Sequence, residues 1–271
     1  MGTLFVVATP IGNLADTSSR ALETLRQADL IACEDTRQTI KLLNHFGIQK
    51  PLTSYHEFNE EQKAEELAAM LSGGPTSIAL VSDAGTPAIA DPGYRLIRMC
   101  RQRGIPVVAI PGPSAVAAAL GASGLPSDEF MFLGFLPSKK NARREKLGAV
   151  ANVRCTLVFY EAPHRIEASL EDAQEILGDR EVCVAREITK IHEEFLFGKL
   201  SDVRTRLKTI GEFVVMVGGA TEVRESAPVT REDVLKKLGM TRNQLYDLFF
   251  KKQATAATRP DATDTDQEDQ E

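Results

Sequence analysis

The sequence predicts an α/β protein of two lobes, the first built on a mostly parallel sheet and the second on a mixed sheet. Short apolar runs rich in Val, Ile and Phe alternate with longer amphipathic segments over the first 125 residues. This alternation is typical of parallel strands, which need crossover connections. Beyond residue 125, two apolar runs at 182–186 and 194–200 lie close together, which indicates an antiparallel hairpin. With 271 residues, 43% of them hydrophobic, the chain can bury a sizeable core.

The elements of the first lobe follow from apolar runs bounded by Gly, Pro or polar residues. The segment 17–28, for example, places Ala21, Leu22, Leu25 and Ala28 at helical spacing. Gly73 and Gly74 end one helix, and Gly104 ends another. The predicted strands are 3–8, 30–33, 77–81 and 107–110, and the predicted helices are 17–28, 36–46, 60–71 and 94–102.

The second lobe has fewer helices between its strands, so we expect a mixed sheet. The predicted strands are 130–135, 156–160, 182–186, 194–200 and 213–217, and the predicted helices are 141–149, 164–177 and 202–208. We place the lobes at residues 1–118 and 119–220, with a hinge near residues 115–125.

The residues beyond a polar linker predict a small appendage. Thr230–Asp233 and Thr241–Gln244 resemble capping boxes, and Gly239 between them suits a helix C-terminus. These signals predict a pair of helices over 229–252. The acidic residues 254–271 have no apolar period, and we expect them to be disordered.

Composition narrows the class of protein. No apolar run reaches the roughly 20 residues that span a bilayer, and the N-terminal run lacks the basic flank of a signal peptide. We therefore expect a cytoplasmic protein with no membrane partner. The four cysteines have neither CxxC spacing nor histidines at metal-ligand intervals, so we expect no disulfide framework and no metal. The net charge of −6 lies mostly in the last 18 residues, and the other 253 carry −1, which is compatible with an RNA partner.

Three Gly/Pro-rich loops follow strands of the first lobe, at 9–14, 82–87 and 111–114. Ligands of open α/β sheets bind at this carboxyl edge, so the loops predict a binding site. They contain neither GxxxxGK(S/T) nor GxGxxG, which disfavours a P-loop hydrolase and ordinary dinucleotide binding. Asp83 could accept hydrogen bonds from a ligand hydroxyl or ammonium, or hold its own loop. Asp35 is most simply a helix cap.

Ionisable side chains also cluster after strands of the second lobe. His164, beside Glu161 and Arg165, could handle a proton or contact a phosphate. Arg186 and Lys190 could bind a phosphate backbone with Glu187 orienting them, or they could pair with carboxylates on the sheet surface. The densest basic run is a candidate phosphate contact or a solvated helix face, and it comprises Lys139, Lys140, Arg143, Arg144 and Lys146.

Eight stretches, in order, carry a resemblance to a known family. They are VATPIGNLAD (7–16), CEDTR (33–37), SDAGTPAIADPG (82–93), IPGPSA (110–115), FLGFLPSK (132–139), FYEAPHR (159–165), REITKIHEE (186–194) and GEFVV (211–215). On these motifs the chain resembles the ribosomal RNA small subunit methyltransferase I family of the tetrapyrrole methylase superfamily. The resemblance implies the two-lobed tetrapyrrole-methylase fold, a homodimer and a cytosolic enzyme. It also implies transfer of a methyl group from S-adenosylmethionine to the 2′-hydroxyl of a cytidine in the decoding region of 16S rRNA, within the small ribosomal subunit.

The resemblance also implies roles for individual residues. Those carried over to cofactor binding are Pro10, Asp83, Ala84, Gly85, Ile89, Ser114, Ala115, Tyr160, Gly211 and Glu212. A ribose hydroxyl needs its proton accepted during attack, so the catalytic candidates for the base, or for the group that orients the ribose, are Glu161, His164 and Glu187, with Asp35 behind them. Lys190, also a catalytic candidate, and Arg186 could hold the adjacent phosphate or lower the pKa of the hydroxyl. The candidate RNA contacts are Lys139, Lys140, Arg143, Arg144, Arg165 and Arg186.

Two other functions remain alternatives at this point. A methyltransferase acting on a small tetrapyrrole would share the fold, but the second-lobe motifs and the basic run argue against it. A non-catalytic nucleic-acid-binding protein would use the C-terminal helical pair, whose residues are net positive. That pair is small beside roughly 220 residues that carry the loops of a binding site.

Overall fold

The first sheet of the computed structural model, which describes residues 1–222 together with Gly239, Thr241 and Gln244, is parallel throughout. Its strands are β1 (Thr3–Val7), β2 (Leu30–Cys33), β3 (Leu52–Ser54), β4 (Ser77–Val81) and β5 (Val107–Ile110). Their order is β3-β2-β4-β1-β5, with β1 between β4 and β5. The predicted parallel sheet is confirmed. The sequence prediction missed β3, whose three residues are only half-buried and give a weak apolar signal.

Helices cover both faces of this sheet. Successive residues of a strand point to opposite faces, so each buried strand contributes apolar side chains to a core on either side. On β4, Ile78 and Leu80 belong to one apolar core, while Ala79 and Val81 belong to the other. The helices are α1 (Ser19–Gln27), α2 (Thr36–His45), α3 (Glu60–Gly73) and α4 (Tyr94–Gln102). Asp35 caps α2 by accepting a hydrogen bond from the Arg37 N–H, at 2.8 Å, which confirms the cap predicted from the sequence.

The second sheet is mixed, as predicted. Its strands are β6 (Phe130–Phe135), β7 (Thr156–Glu161), β8 (Glu181–Arg186), β9 (Glu194–Lys199) and β10 (Phe213–Val217), in the order β6-β7-β10-β8-β9. Strands β6 and β7 are parallel and the other neighbours are antiparallel. The hairpin of β8 and β9 pairs Glu181 with Lys199 and Arg186 with Glu194.

The segment near residues 115–125, where we predict a hinge between the lobes, is mostly helix α5 (Ala115–Ala122), whose first turn is capped by the Ser114 hydroxyl. Val116, Ala119 and Leu120 share an apolar core with β7, β8 and β10. The run of small residues in this segment has no helical period that a sequence pattern could detect. The connection is therefore part of the second sheet's core.

Three further helices complete the second lobe: α6 (Lys140–Ala149), α7 (Ile166–Leu177) and α8 (Leu200–Arg206). Within the residues that the structure describes, no helix combines the length and the hydrophobicity needed to cross a membrane. Apart from Gly239, Thr241 and Gln244, the predicted appendage 229–252 lies outside the described residues, and so does the tail 254–271. The Thr241–Gln244 capping box is confirmed, since each residue's side chain accepts from the other's backbone N–H, and Gly239 has a φ of +61°.

A buried ion pair joins α6 to α7. The Arg143 guanidinium is 5% exposed and lies 2.6 Å from the Asp172 carboxylate, which also pairs with Arg144 at 2.8 Å. Burial opposes ionisation of Asp172, but the two arginines outweigh it and hold the pKa of this carboxyl below its ordinary value.

We expect Asp172→Ala to lower the free energy of unfolding by about 3–5 kcal/mol, because it leaves the buried Arg143 charge without a partner. Urea unfolding measures the change. Asp202→Ala is the matched control, since Asp202 pairs with Arg206 in solvent, and it should cost at most about 1 kcal/mol. Equal losses in the two variants would contradict a structural role for the buried pair.

Candidate functional site

A cleft of about 470 Å³ lies between the two sheets, at the carboxyl ends of strands in the first lobe. Most of the predicted cofactor residues line it: Asp83, Ala84, Gly85, Ile89, Ser114, Ala115, Tyr160 and Glu212. Pro10 and Gly211 are not lining residues, but each directly precedes one, Ile11 and Glu212. The structure thus brings together residues that are up to 129 positions apart in the chain.

Two loops of the first lobe are bonded into one wall of the cleft. Thr9 and Gly85 exchange backbone hydrogen bonds of 2.8 and 3.1 Å, and the Thr9 hydroxyl donates to the Ser82 carbonyl. Gly85 has a φ of +78°, and a Cβ there would lie 3.4 Å from Ile11 Cγ2. The left-handed backbone is therefore what requires glycine here, since a Cβ would make only an ordinary contact with Ile11.

The carboxylates of Glu34, Asp83 and Asp91 lie together at the end of the first-lobe wall, and we call this cluster the acidic corner. Burial, together with the charges of neighbouring carboxylates, raises the pKa of Glu34, and burial is also the main cause of the raised pKa of Asp83 and Asp91. The Asp35 N–H donates to Asp83 at 3.0 Å, so Asp83 links its own loop to the segment that follows β2. In the described part of the chain, no three acidic, histidine or cysteine side chains are arranged to hold a metal ion. The corner therefore offers hydrogen-bond and proton acceptors.

The second-lobe wall is aromatic, with a buried carboxylate behind it. The Tyr160 ring contacts Phe132 and Phe135, at ring-centroid distances of 5.0 and 5.4 Å. Glu161 is only 2% exposed and accepts from the Ser169 hydroxyl at 2.5 Å and from the Ala162 N–H at 2.9 Å. Arg165 pairs with it at 2.8 Å. Because its oxygens are engaged in this way, Glu161 is placed to hold the wall in position.

The ion-pair clamp, Glu187–Lys190–Glu212, lies beside the cleft, which Glu212 lines. Lys190 Nζ lies 2.9 Å from carboxylate oxygens of both Glu187 and Glu212, and Glu187 also accepts from the Glu212 N–H at 2.9 Å. Burial would raise the pKa of Glu187 and lower that of Lys190. The opposite charges outweigh burial, so the pKa of Glu187 lies below and that of Lys190 above its ordinary value. Glu187 and Lys190 are therefore ionised at neutral pH.

The same turn joins the second lobe to the first. The Lys190 side chain packs on Gly12, where a Cβ would lie only 2.6 Å from Lys190 Cγ. The Thr189 hydroxyl donates to the Asp16 carboxylate. Glu187 and Thr189 have φ values of +50° and +65°, which residues with side chains rarely adopt. The turn therefore has a backbone conformation that its residue types do not favour, and it is also the segment that contacts the first lobe.

Several predicted RNA contacts are corrected by the structure. Arg143 is buried against Asp172, and Arg186 is buried and pairs with Glu194 at 2.9 Å, so neither guanidinium is free for a phosphate. Arg144 and Arg165 are half-buried in ion pairs with acidic side chains of α7 and with Glu161. Helical spacing alone could not show which face of α6 packs on α7. Lys139 and Lys140 are exposed, as an RNA contact requires, and His164 is exposed outside the cleft lining.

A second cavity of about 730 Å³ adjoins the cleft, because Glu34 and Asp91 line both. It opens among the loops that follow β2, β3 and β4. Neither Asp91 nor this cavity was predicted from the sequence, although DPG in 91–93 is a turn signal. The apolar lining residues Ile11, Phe135, Ile188, Phe213 and Val214 were missed as well, because they look like ordinary core residues in the sequence.

Comparison with known proteins defines the class first. Residues 3–204 match the family model of the tetrapyrrole (corrin/porphyrin) methylases, so the chain belongs to this family. The crystal structure of uroporphyrin-III C-methyltransferase from Thermus thermophilus, complexed with S-adenosylhomocysteine, has the same fold. It has a TM-score of 0.55 at 19% identity and covers 80% of this chain and 97% of its own.

Sequence relatives define the particular group. The chain is 51% identical over 236 residues to ribosomal RNA small subunit methyltransferase I of Halalkalibacterium halodurans, covering 86% of this chain and 81% of the relative. It is 49% identical over 252 residues to the protein of the same name from Escherichia coli O157:H7, covering 90% and 86%. Within the tetrapyrrole methylases, the chain belongs to the ribosomal RNA small subunit methyltransferase I family.

We expect Gly211→Ala to weaken cofactor binding, because the new Cβ would lie 2.5 Å from Glu187 Cγ and displace the ion-pair clamp. Gly104→Ala is the matched control: it also has a positive φ, but a Cβ there meets nothing within 4 Å. Both variants should lose about 1 kcal/mol or more of stability through backbone strain. Calorimetric titration with S-adenosylhomocysteine separates them, and equal affinities would contradict a role for the clamp in the cleft.

Proposed function

We propose that this protein transfers the methyl group of S-adenosylmethionine to the 2′-hydroxyl of a cytidine in the decoding region of 16S rRNA. The observation that carries this proposal is the cleft itself, lined by the residues that the family resemblance assigns to the cofactor. Relatives named for ribosomal RNA methylation, about 50% identical over most of the chain, support the same class of substrate. The family resemblance further supports a cytoplasmic homodimer that acts on the small ribosomal subunit.

The residues of the cleft suit S-adenosylmethionine. Ile89, Ala115, Val214 and the Tyr160 ring offer apolar surface for a base, and the volume of about 470 Å³ fits a ligand of this size. Asp83 and Glu212 supply acceptors for ribose hydroxyls or an ammonium group. When bound, the cofactor supplies a methyl group on a positively charged sulfur.

The chain itself must align the acceptor hydroxyl and remove its proton, because methyl transfer needs an in-line approach and a ribose hydroxyl is a poor nucleophile. Among the earlier candidates, Glu161 and Glu187 are engaged in internal bonds, and Lys190 is paired with two carboxylates. We propose that these three are positioning residues. His164 and Asp35 are less well placed to accept the proton, since His164 does not line the cleft and Asp35 pairs with Arg37.

We propose Glu34 as the proton acceptor. It lines both cavities, so its carboxylate lies where a substrate in one would meet a cofactor in the other. Burial and the charges of Asp91 and Asp83 raise its pKa toward neutrality. A base works best when its pKa lies near the working pH. Exposed Lys139 and Lys140 are the residues that we propose for contacts to phosphates.

Incubation of the protein with S-adenosylmethionine and small ribosomal subunits should place one 2′-O-methyl group on a cytidine in the decoding region. Mapping by reverse transcription at low nucleotide concentration measures the product. The parallel reaction with a tetrapyrrole acceptor should give none. Absence of methyl incorporation into any ribosomal RNA or subunit would refute the proposed function.

Glu34→Gln should lower kcat by about 10²–10⁴-fold and leave affinity for the cofactor unchanged. Glu34 must be deprotonated to act. In the wild type, kcat/KM should therefore fall as pH drops through the raised pKa of this residue, above the ordinary glutamate value of about 4.3. In the Glu34→Gln variant, kcat/KM should not show this fall at low pH.

Glu23→Gln, on the exposed side of α1 and outside both cavities, is the matched control and should behave as the wild type. A Glu34→Gln enzyme with wild-type kcat would exclude this residue as the proton acceptor. A variant that loses cofactor affinity in parallel with activity would instead assign Glu34 to cofactor binding.

A further inference from the structure

We propose that the second cavity holds the base of the target nucleotide, taken out of its stack, and that it selects a base bearing an exocyclic amino group. This inference rests on the proposed function, since it adds the substrate's binding pocket to the cofactor cleft. Sequence-specific recognition of RNA usually targets unstacked bases, which stack on aromatic side chains and are hydrogen-bonded at their edges. The cavity offers a partner for each of these interactions.

The position of the second cavity relative to the cofactor cleft determines which part of the nucleotide lies in it. The cavity of about 730 Å³ lies where β2, β3 and β4 end, which is the ligand edge of a parallel sheet. Glu34 and Asp91 are shared with the cofactor cleft, so the ribose belongs beside them. His56, Glu57 and Phe58 line this cavity alone and are therefore placed for the more distant part of the nucleotide, the base.

Phe58 is the stacking candidate. It is 88% exposed, which is unusual for a phenylalanine, and it lies in the loop between β3 and α3. Its ring contacts that of His56 at a centroid distance of 6.0 Å. His56 Nδ1 is buried with no hydrogen-bond partner. An unpaired buried nitrogen is costly, and a ligand that supplies a partner removes that cost.

The charge of the cavity lining favours the uncharged base over the negatively charged phosphates of the RNA. Its lining carries the carboxylates of Glu34, Asp35, Glu57, Glu60 and Asp91 against one guanidinium, that of Arg37. A phosphate would be repelled from such a lining. Arg37 is itself highly exposed, at the edge of the cavity, where a phosphate next to the target nucleotide would meet it.

Glu57 is placed to read the edge of the base. Two other carboxylates of the lining are already engaged: Glu60 accepts from the Tyr55 hydroxyl at 3.1 Å, and Asp35 holds Arg37. An ionised carboxylate only accepts hydrogen bonds. It therefore pairs with the amino group of cytosine and opposes the carbonyl oxygen that uracil presents at the same position. A glutamine there could donate as well as accept.

The first experiment compares Phe58→Ala with Phe197→Ala, a matched control on β9 that removes a half-exposed phenylalanine outside both cavities. With small ribosomal subunits as substrate, Phe58→Ala should raise the KM for subunits on the order of tenfold, because stacking of one base is lost. Its affinity for S-adenosylhomocysteine should be unchanged, and Phe58→Trp should restore the KM. Phe197→Ala should match the wild type.

The second experiment tests selection of the base, with subunits reconstituted from transcripts that carry cytidine or uridine at the mapped position. The wild type should strongly prefer cytidine, and Glu57→Gln should reduce this preference at least tenfold by improving activity on uridine. If the wild type is active while Phe58→Ala keeps its KM and Glu57→Gln keeps its preference, the base lies elsewhere. A wild type inactive on every ribosomal RNA refutes the proposed function instead.

Discussion

The cleft depends on one ammonium group, that of Lys190. It neutralises Glu187 from its own turn and Glu212 from the start of β10, and its methylene carbons rest on Gly12 of the first lobe. Without a cation at this point, the mostly buried Glu187 carboxylate would face the exposed carboxylate of Glu212, and their electrostatic repulsion would push the two segments apart. The lysine thus joins three segments that are distant in sequence, and these segments define the width of the site.

The two walls of the cleft use carboxylates in opposite ways. On the second-lobe side, Glu161 and Glu187 are surrounded by donors, and each holds a loop in place. On the first-lobe side, Glu34, Asp83 and Asp91 crowd together without an arginine or lysine bonded to them, and burial raises their pKa. Groups in the first environment are held in fixed positions by their donors. Groups in the second have a raised pKa, which brings a carboxylate closer to the range in which it can act as a base.

Local patterns were sufficient for most of the fold. Strands such as β2, β4, β5, β6 and β10 are continuous apolar runs ended by polar or Gly/Pro residues, and their bounds agree with the prediction. Helix α5 and strand β3 were missed, because a run of Ala and Gly residues and a three-residue strand carry little periodic signal. The loops of the first wall could be located for the same reason that the strands could: each follows a buried run.

The chemistry of the site was harder to predict, because it depends on partners that are far away in the chain. The local sequence around Glu161 does not show that the Ser169 hydroxyl, eight residues further on, engages its carboxylate, and nothing near Arg143 shows that Asp172, 29 residues away, lies opposite. Asp91 lies in an unremarkable turn until the fold brings it beside Glu34 and Asp83. The residue types, and their position directly after strands, were enough to locate the site in the sequence. The role of each side chain could be assigned only from its neighbours in the three-dimensional structure.

Helix α5 has a consequence for how the chain can be divided. Ser114, which caps it, lines the cleft, while its apolar face fills the core beneath the second sheet. A division after residue 118 would cut this helix in half and separate Val116 from the core that it shares with Val158, Val214 and Met216. The two lobes therefore share a core, and a change in the core of the second lobe also reaches the backbone that lines the cleft.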